Sequence, residues 1–180
     1  MNIEPLIHSE SEKVMIEFEK RFIESKGKPF AENGTEYHMV LRVNSQSHQG
    51  MHVRLVHAIQ SPRQGIRFDC NLPLHANGVA GQALVFWRDS VPSEFDIACS
   101  PDSDIAVRNV WDNGDGIEQS WHAGGAMVVK NDGNMIIISA NSTLANDQCD
   151  DLVVELSWLD DLPQDAMKKK TSWLSRLFGR

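Results

Sequence analysis

His48 and His52, four residues apart, form the spacing in this sequence that comes nearest to a metal site. That interval binds zinc when a helix brings both imidazoles to one face with a catalytic glutamate between them. Here the intervening run is Gln49-Gly50-Met51, without glutamate, and the alternation that starts at Met51 predicts a strand. His57 and Cys70 could join the pair only through the fold. Asp112, Asn113, Asp115 and Glu118 gather oxygen donors. A helix-loop-helix calcium loop opening at Asp112 would need further ligands where Gly114 and Gly116 stand and a bidentate glutamate where Ala123 stands. No metal is expected from either group.

Nucleophilic and acid–base chemistry find no better footing. Cys149 lies beside Asp147, Asp150 and Asp151, whose charge opposes a thiolate; Cys70 precedes no helix, and Cys99 reads as a core residue at a strand end. Glu94 with Asp96, or Glu118 with Glu155, could serve glycoside hydrolysis, but among 25 acids such pairings are unspecific. The chain has no GxSxG elbow, no phosphate-binding P-loop and no GxGxxG run before a helix. The expectation is a non-enzymatic protein without catalytic residues or cofactors.

The stretch with the clearest potential for contact runs from Trp111 to Trp121, WDNGDGIEQSW. Asn113, Gly114, Asp115 and Gly116 are turn formers, so the run predicts a structured loop between two strands, and such loops often carry function. Trp111 and Trp121 could offer stacking faces, with Asp112, Asn113 and Gln119 supplying hydrogen bonds. Over residues 111–116 the string resembles the WDNN-type turn of some starch- and glycogen-binding sandwich modules; the three strands that follow do not fit that module's end. The resemblance implies a sugar or small-ligand site on this loop. Against it stands the expectation that at least one of the two tryptophans points into the core.

Charge is distributed unevenly. Residues 1–88 hold 10 bases and 9 acids, residues 89–166 hold 2 and 16, and residues 167–180 hold 5 bases and no acid. The middle segment would repel phosphates, which argues against nucleic acid. It could instead complement a basic protein and speed the encounter. Asp112, Asp115, Glu118, Asp150 and Asp151 are the expected charged contacts, with Trp111 or Trp121 as a desolvated anchor. Interleaving of the segments in space would remove such an acidic face.

Positioning these residues falls to a chain of 180 residues, 41% of them apolar, enough for one core. Residues 9–26 predict an amphipathic helix with Val14, Phe18, Phe22 and Ile23 on its apolar stripe, closed by Gly27 before Pro29. Beyond Asn33-Gly34 the period drops to two. Strands are expected at 37–44 and 51–59, paired as a hairpin, then near 66–70, at 83–87, 94–99, 105–110, 126–129, 135–139 and 152–158. A polar loop is expected over 71–81, and Asp132-Gly133 is the strongest hairpin signal. Val85, Trp87, Ile136, Ile138 and Val153 are the expected core. Short antiparallel links predict a mainly β single domain over 1–166, an antiparallel β-sandwich or curved sheet with an N-terminal amphipathic helix and a short C-terminal amphipathic tail.

That tail, residues 167–180, places Trp173, Leu177 and Phe178 amid Lys168, Lys169 and Lys170. It could rest on an anionic membrane surface or dock on the acidic segment of its own fold. Three widely spaced cysteines and an N-terminus without a basic start or apolar centre predict a cytoplasmic protein. Taken together these features predict a protein-interaction module, of the inhibitor or immunity type, that binds a basic partner through an acidic face; a carbohydrate- or small-ligand-binding sandwich is the alternative.

Overall fold

The computed structural model describes residues 18–143 and 149–161. The tail, and with it Lys168, Lys169, Lys170, Trp173, Leu177 and Phe178, lies outside the described residues, as do Val14 and the start of the predicted helix. One helix, α1, is described over residues 18–24. It is followed by β1 (Phe30–Glu32), β2 (Thr35–His38), β3 (Leu41–Asn44), β4 (Gly50–Ala58), β5 (Arg63–Ala76), β6 (Val79–Trp87), β7 (Glu94–Ala98), β8 (Asp104–Asp112), β9 (Ala126–Asp132), β10 (Met135–Asn141) and β11 (Leu152–Leu159). The strands form one curled antiparallel sheet, a half-barrel, in the order β1-β2-β9-β10-β11-β4-β7-β5-β8-β3, with β6 pairing β5 from the side. The fold is thus mainly β, a curved sheet rather than two stacked ones. Among the described residues no helix is long and apolar enough to cross a membrane.

The long strand β5 produces the curl. Its first half pairs with β8, from Arg63↔Asp112 to Cys70↔Ile105, and its far end reaches β7 at His75↔Ala98. Between them the β5–β6 register shifts over Asp69 to Leu74, where Asn71, Leu72 and Pro73 are exposed. Bulged residues bend and twist a strand, and a proline fits there because no ladder donor is required of it. The segment 71–81, expected as a loop, is therefore bulged strand plus a hairpin turned by Asn77 and Gly78, both at positive φ (50° and 76°). The expected Asp132-Gly133 hairpin joins β9 to β10.

The expected hairpin of 37–44 with 51–59 does not form. β2 stops at His38 beside β9, the chain bends at Met39 and Val40, and β3 pairs with β8 at the other end of the sheet order, while β4 lies between β11 and β7. Alternation runs through the break, so periodicity alone could not reveal it.

The interior of the curl is filled from most strands: Met51, Val53, Leu55, Phe68, Phe86, Phe95, Ile97, Val107, Met127, Ile138, Leu152, Val154 and Leu156 are all buried in one cluster. Of the five expected core residues only Ile138 is fully buried; Ile136, Val85, Trp87 and Val153 are half-buried. In β6 the inward residues are Leu84 and Phe86, one position off, and the Trp87 ring instead covers Gly65, whose added Cβ would lie 2.8 Å from it. A second cluster docks α1: Phe18 and Phe22 pack with Phe30, Tyr37 and Ala126, with ring centroids 4.7 Å apart for Phe18–Tyr37 and 4.9 Å for Phe22–Phe30. Ile23, expected on the buried stripe, is 61% exposed, so the stripe is narrower still. Gly27, at φ 75°, ends the helix by donating its N–H to the Phe22 carbonyl.

Candidate partner-binding loop

β8 delivers Trp111 and Asp112 to the end of the sheet, and the two part ways. Trp111 is the largest fully buried side chain, 1% exposed, its ring against Gly125, where an added Cβ would come within 2.6 Å. It is a core residue, as expected of at least one tryptophan, and offers no stacking face to a ligand. Its backbone closes the loop: Trp111 N–H donates to the Gln119 carbonyl at 3.1 Å and Gln119 N–H returns the bond at 2.8 Å.

Within that closure Asp112 organises the turn. Its Oδ1 accepts from the N–H groups of Gly114 (2.8 Å) and Gly116 (3.0 Å), and Asp115 Oδ1 accepts from Ile117 N–H (2.9 Å). Gly114 and Gly116 sit at φ 98° and 77°, angles that disfavour other residues. The result is a held loop whose outward residues are Asn113, Asp115, Ile117 and Glu118, with Ile117 58% exposed. Trp121, at φ 51°, is half-buried and stacks on His122 with centroids 4.4 Å apart.

The Gly114 N–H bond, reinforced by that of Gly116, holds the Asp112 carboxyl below the ordinary aspartate range. Because the folded value is depressed, the carboxylate's contribution is complete above the unfolded pKa and is lost as pH falls through the folded one. The amide resonances of Gly114 and Gly116 should therefore hold their loop positions below the pH at which a free aspartate titrates, then move together. Movement at the free-aspartate pH would contradict this.

Glu118 is tied back to the sheet. Arg67 and Arg108 stand directly opposite each other in the β5–β8 pairing, an arrangement that repels unless countered. Asp69 contacts both at 2.8 Å, and Glu118 takes the remaining Arg67 nitrogen at 2.8 Å. The Arg67 charge is held by Asp69 first and Glu118 second, which raises its already high pKa. The loop is thus anchored at its base by backbone and at its exit by a charge network.

Asp150 and Asp151 lie on a different element, at the entry to β11. Asp151 is 7% exposed, and its Oδ2 accepts from both the N–H (2.8 Å) and the hydroxyl (2.7 Å) of Ser142, so it fastens the end of β10 rather than facing a partner. Asp150 is exposed. The acidic and balanced segments also interleave. Arg54 pairs with Glu155, Arg63 with Asp89, Arg67 with Glu118, His48 with Asp160 and His52 with Asp96, each joining the segment up to residue 88 to the segment from residue 89 onward. These pairings follow from the sheet order, which sets β4 between β11 and β7, and β5 beside β8.

The histidines part as well: His48 stacks on Trp158 at 5.4 Å and bonds Asp160, whereas His52 bonds Asp96. Among the described residues no group of three or more His, Cys, Asp or Glu is placed to hold a metal. Cys99 is buried and its thiol pKa is pushed up by that burial, which opposes a thiolate. Ile117 and Arg67 were missed as site residues. Ile117 could have been found as the single large apolar residue inside a polar turn, but Arg67 could not, since its meeting with Glu118 depends on the β5–β8 register.

Family models, curated proteins and solved structures were compared with the chain, and none matches.

Proposed function

We propose that the chain is a non-enzymatic protein-binding module that presents residues 113–118 to a partner with a basic surface, in the manner of a cytoplasmic inhibitor or immunity-type protein. The observation that carries this reading is the loop held by Asp112 with Ile117 exposed between Asp115 and Glu118. Large apolar residues on loop tips are costly to leave in water and are natural centres for a contact. A loop already ordered before binding avoids much of the entropic penalty of association, and flanking carboxylates steer a cationic partner. Trp111, expected as an anchor, lies beneath this loop as its support, while Asp151 fastens β10 to β11 elsewhere in the sheet.

Affinity capture from the native cell on immobilised full-length chain should return a basic protein whose retention falls steeply with salt. Ile117→Asp should reduce retention at least about tenfold, the loss of one well-placed apolar anchor. Asp115→Lys should act chiefly on the association rate. Ile117→Asp should leave the melting temperature unaltered, since its side chain faces solvent, and Asp115→Lys, which gives up the bond from Ile117 N–H, should lower it only slightly. Retention indifferent to both substitutions would overturn the reading. The sugar-binding alternative keeps only the half-buried Trp121 as a stacking ring; saturable quenching of its fluorescence by an oligosaccharide, lost in Trp121→Ala, would favour that alternative instead.

A further inference from the structure

Away from the loop, a cavity of about 560 Å³ opens between the residues that follow α1 and the bend joining β2 to β3. Its polar lining is Lys26, Lys28, His38 and Arg42, its apolar floor includes Met39 and Val40, and no lining residue is acidic. This volume lies within the usual range for small-molecule sites, about 300–1,000 Å³.

The charge here departs from the rest of the molecule. Arg21, Arg54, Arg63, Arg67 and Arg108 are each paired with a carboxylate. Among the described residues Arg42, Lys26 and Lys28 have no such partner, a condition they share only with Arg88 and Lys130, in a protein carrying a net charge of −8. The two lysines have a local reason to be there, because cations complement the carbonyl end of a helix. That reason does not extend to Arg42, which β3 carries on the far side of the bend at Met39 and Val40. Glu36, two residues before His38, lies outside the lining and is engaged with His38 at 2.9 Å.

The backbone that carries the two exposed lysines is held in place. The backbone turns left-handed at Lys26 (φ 56°) and Gly27 (φ 75°), the Lys28 carbonyl accepts from the Ser25 hydroxyl at 2.7 Å, and Met39 packs so closely on Gly27 that an added Cβ would lie 2.8 Å from its methyl group. Three cations from two separate parts of the chain therefore converge on one concavity with an apolar floor.

We infer that this cavity binds a small, multiply charged oxyanion, a phosphate- or polycarboxylate-bearing molecule, with Arg42 gripping two oxygens of the head group and Lys26 and Lys28 closing on its rim. The planar guanidinium supplies the paired donors that such head groups accept, and the ammonium groups supply charge.

Isothermal titration of the full-length chain at low ionic strength, with pyrophosphate in one arm and citrate in another, tests this. Saturable one-site binding of either probe is expected, and the arm that binds tells phosphate from carboxylate chemistry. Arg42→Gln should weaken it at least about tenfold, as should Lys26→Gln combined with Lys28→Gln, the scale of losing charge-assisted hydrogen bonds. Arg88→Gln, which removes an arginine outside this cavity and also without a carboxylate partner among the described residues, should leave it unchanged. All the substituted side chains are at least partly exposed, and unaltered melting temperatures will show that the fold persists. Failure of both probes to saturate, or equal affinity in the wild-type and Arg42→Gln proteins, overturns the site.

Discussion

Trp111→Ala is expected to destabilise the protein by about 3–5 kcal/mol, the range for removing a large buried aromatic side chain from a packed site. The ring is almost wholly excluded from solvent, it fills the space over Gly125, and its backbone closes the loop through Gln119. Removing the ring leaves a void in the wall that supports the loop, while the backbone bonds to Gln119 remain available. Trp121→Ala, at a half-buried ring stacked on His122, should cost about 1 kcal/mol or less, typical of a residue outside the core. Urea unfolding followed by far-ultraviolet circular dichroism measures both. Similar midpoints for the two variants would show that Trp111 is not the support described here. Trp111→Phe, which keeps an aromatic ring in the site, should retain most of the stability and the partner binding proposed for residues 113–118.

Much of the fold was legible because β-rich chains punctuate themselves. The switch of period after Asn33-Gly34, the Asp132-Gly133 turn, and the polar or proline-bearing links around Pro92 and Pro101 place most strands within a few residues of where they lie. Facing was harder where the local run is apolar throughout. Ala83 to Trp87 carries no alternation, so nothing local says that Leu84 and Phe86 turn inward while Trp87 covers Gly65. For β11 the signal existed and pointed the other way: Glu155 and Ser157 share the face of Val153, which leaves Leu152, Val154 and Leu156 to the core. The Asn77-Gly78 hairpin was legible too, but was submerged in a segment that Asn71, Pro73 and Gly81 make look like loop.

The site divides along the same line between local and long-range information. Turn chemistry is local, so the role of Asp112, an aspartate followed by glycines two and four residues on, could be anticipated from its neighbours. Ion pairing is not local. Arg67 meets Asp69 within its own strand, yet Arg108 and Glu118 reach that cluster only because β5 and β8 align in one register. Segment charge sums hid this: a stretch with 16 acids and 2 bases suggested an acidic face, while the strand order threads basic strands through it. The cations around Arg42 meet through the β1–β2 hairpin, whose Phe30↔Tyr37 register sets residues 26–29 beside residues 38–42.

Asp151→Ala should show how strongly one such long-range fastening counts. The carboxylate accepts two hydrogen bonds from Ser142, whose side chain and amide are wholly buried, while the Asp151 carbonyl accepts from Ile59 N–H, so one residue ties the end of β10 and the segment after β4 to the entry of β11. Truncation leaves the Ser142 amide without its acceptor, and losing hydrogen bonds to a charged group costs about 1.5–3 kcal/mol. Ser142→Ala removes only the hydroxyl donor and should cost less, because its amide keeps the carboxylate. A double-mutant cycle on the urea midpoints should return a coupling of about 0.5–3 kcal/mol between the two residues. A cycle that closes with no coupling would mean that Asp151 is held by something other than Ser142. Were Asp151 instead a contact residue, the alanine variant would keep its stability and lose its partner. The geometry of β10 and β11 leads to the opposite expectation, a protein less stable in isolation that still presents Asp115 and Ile117 unchanged.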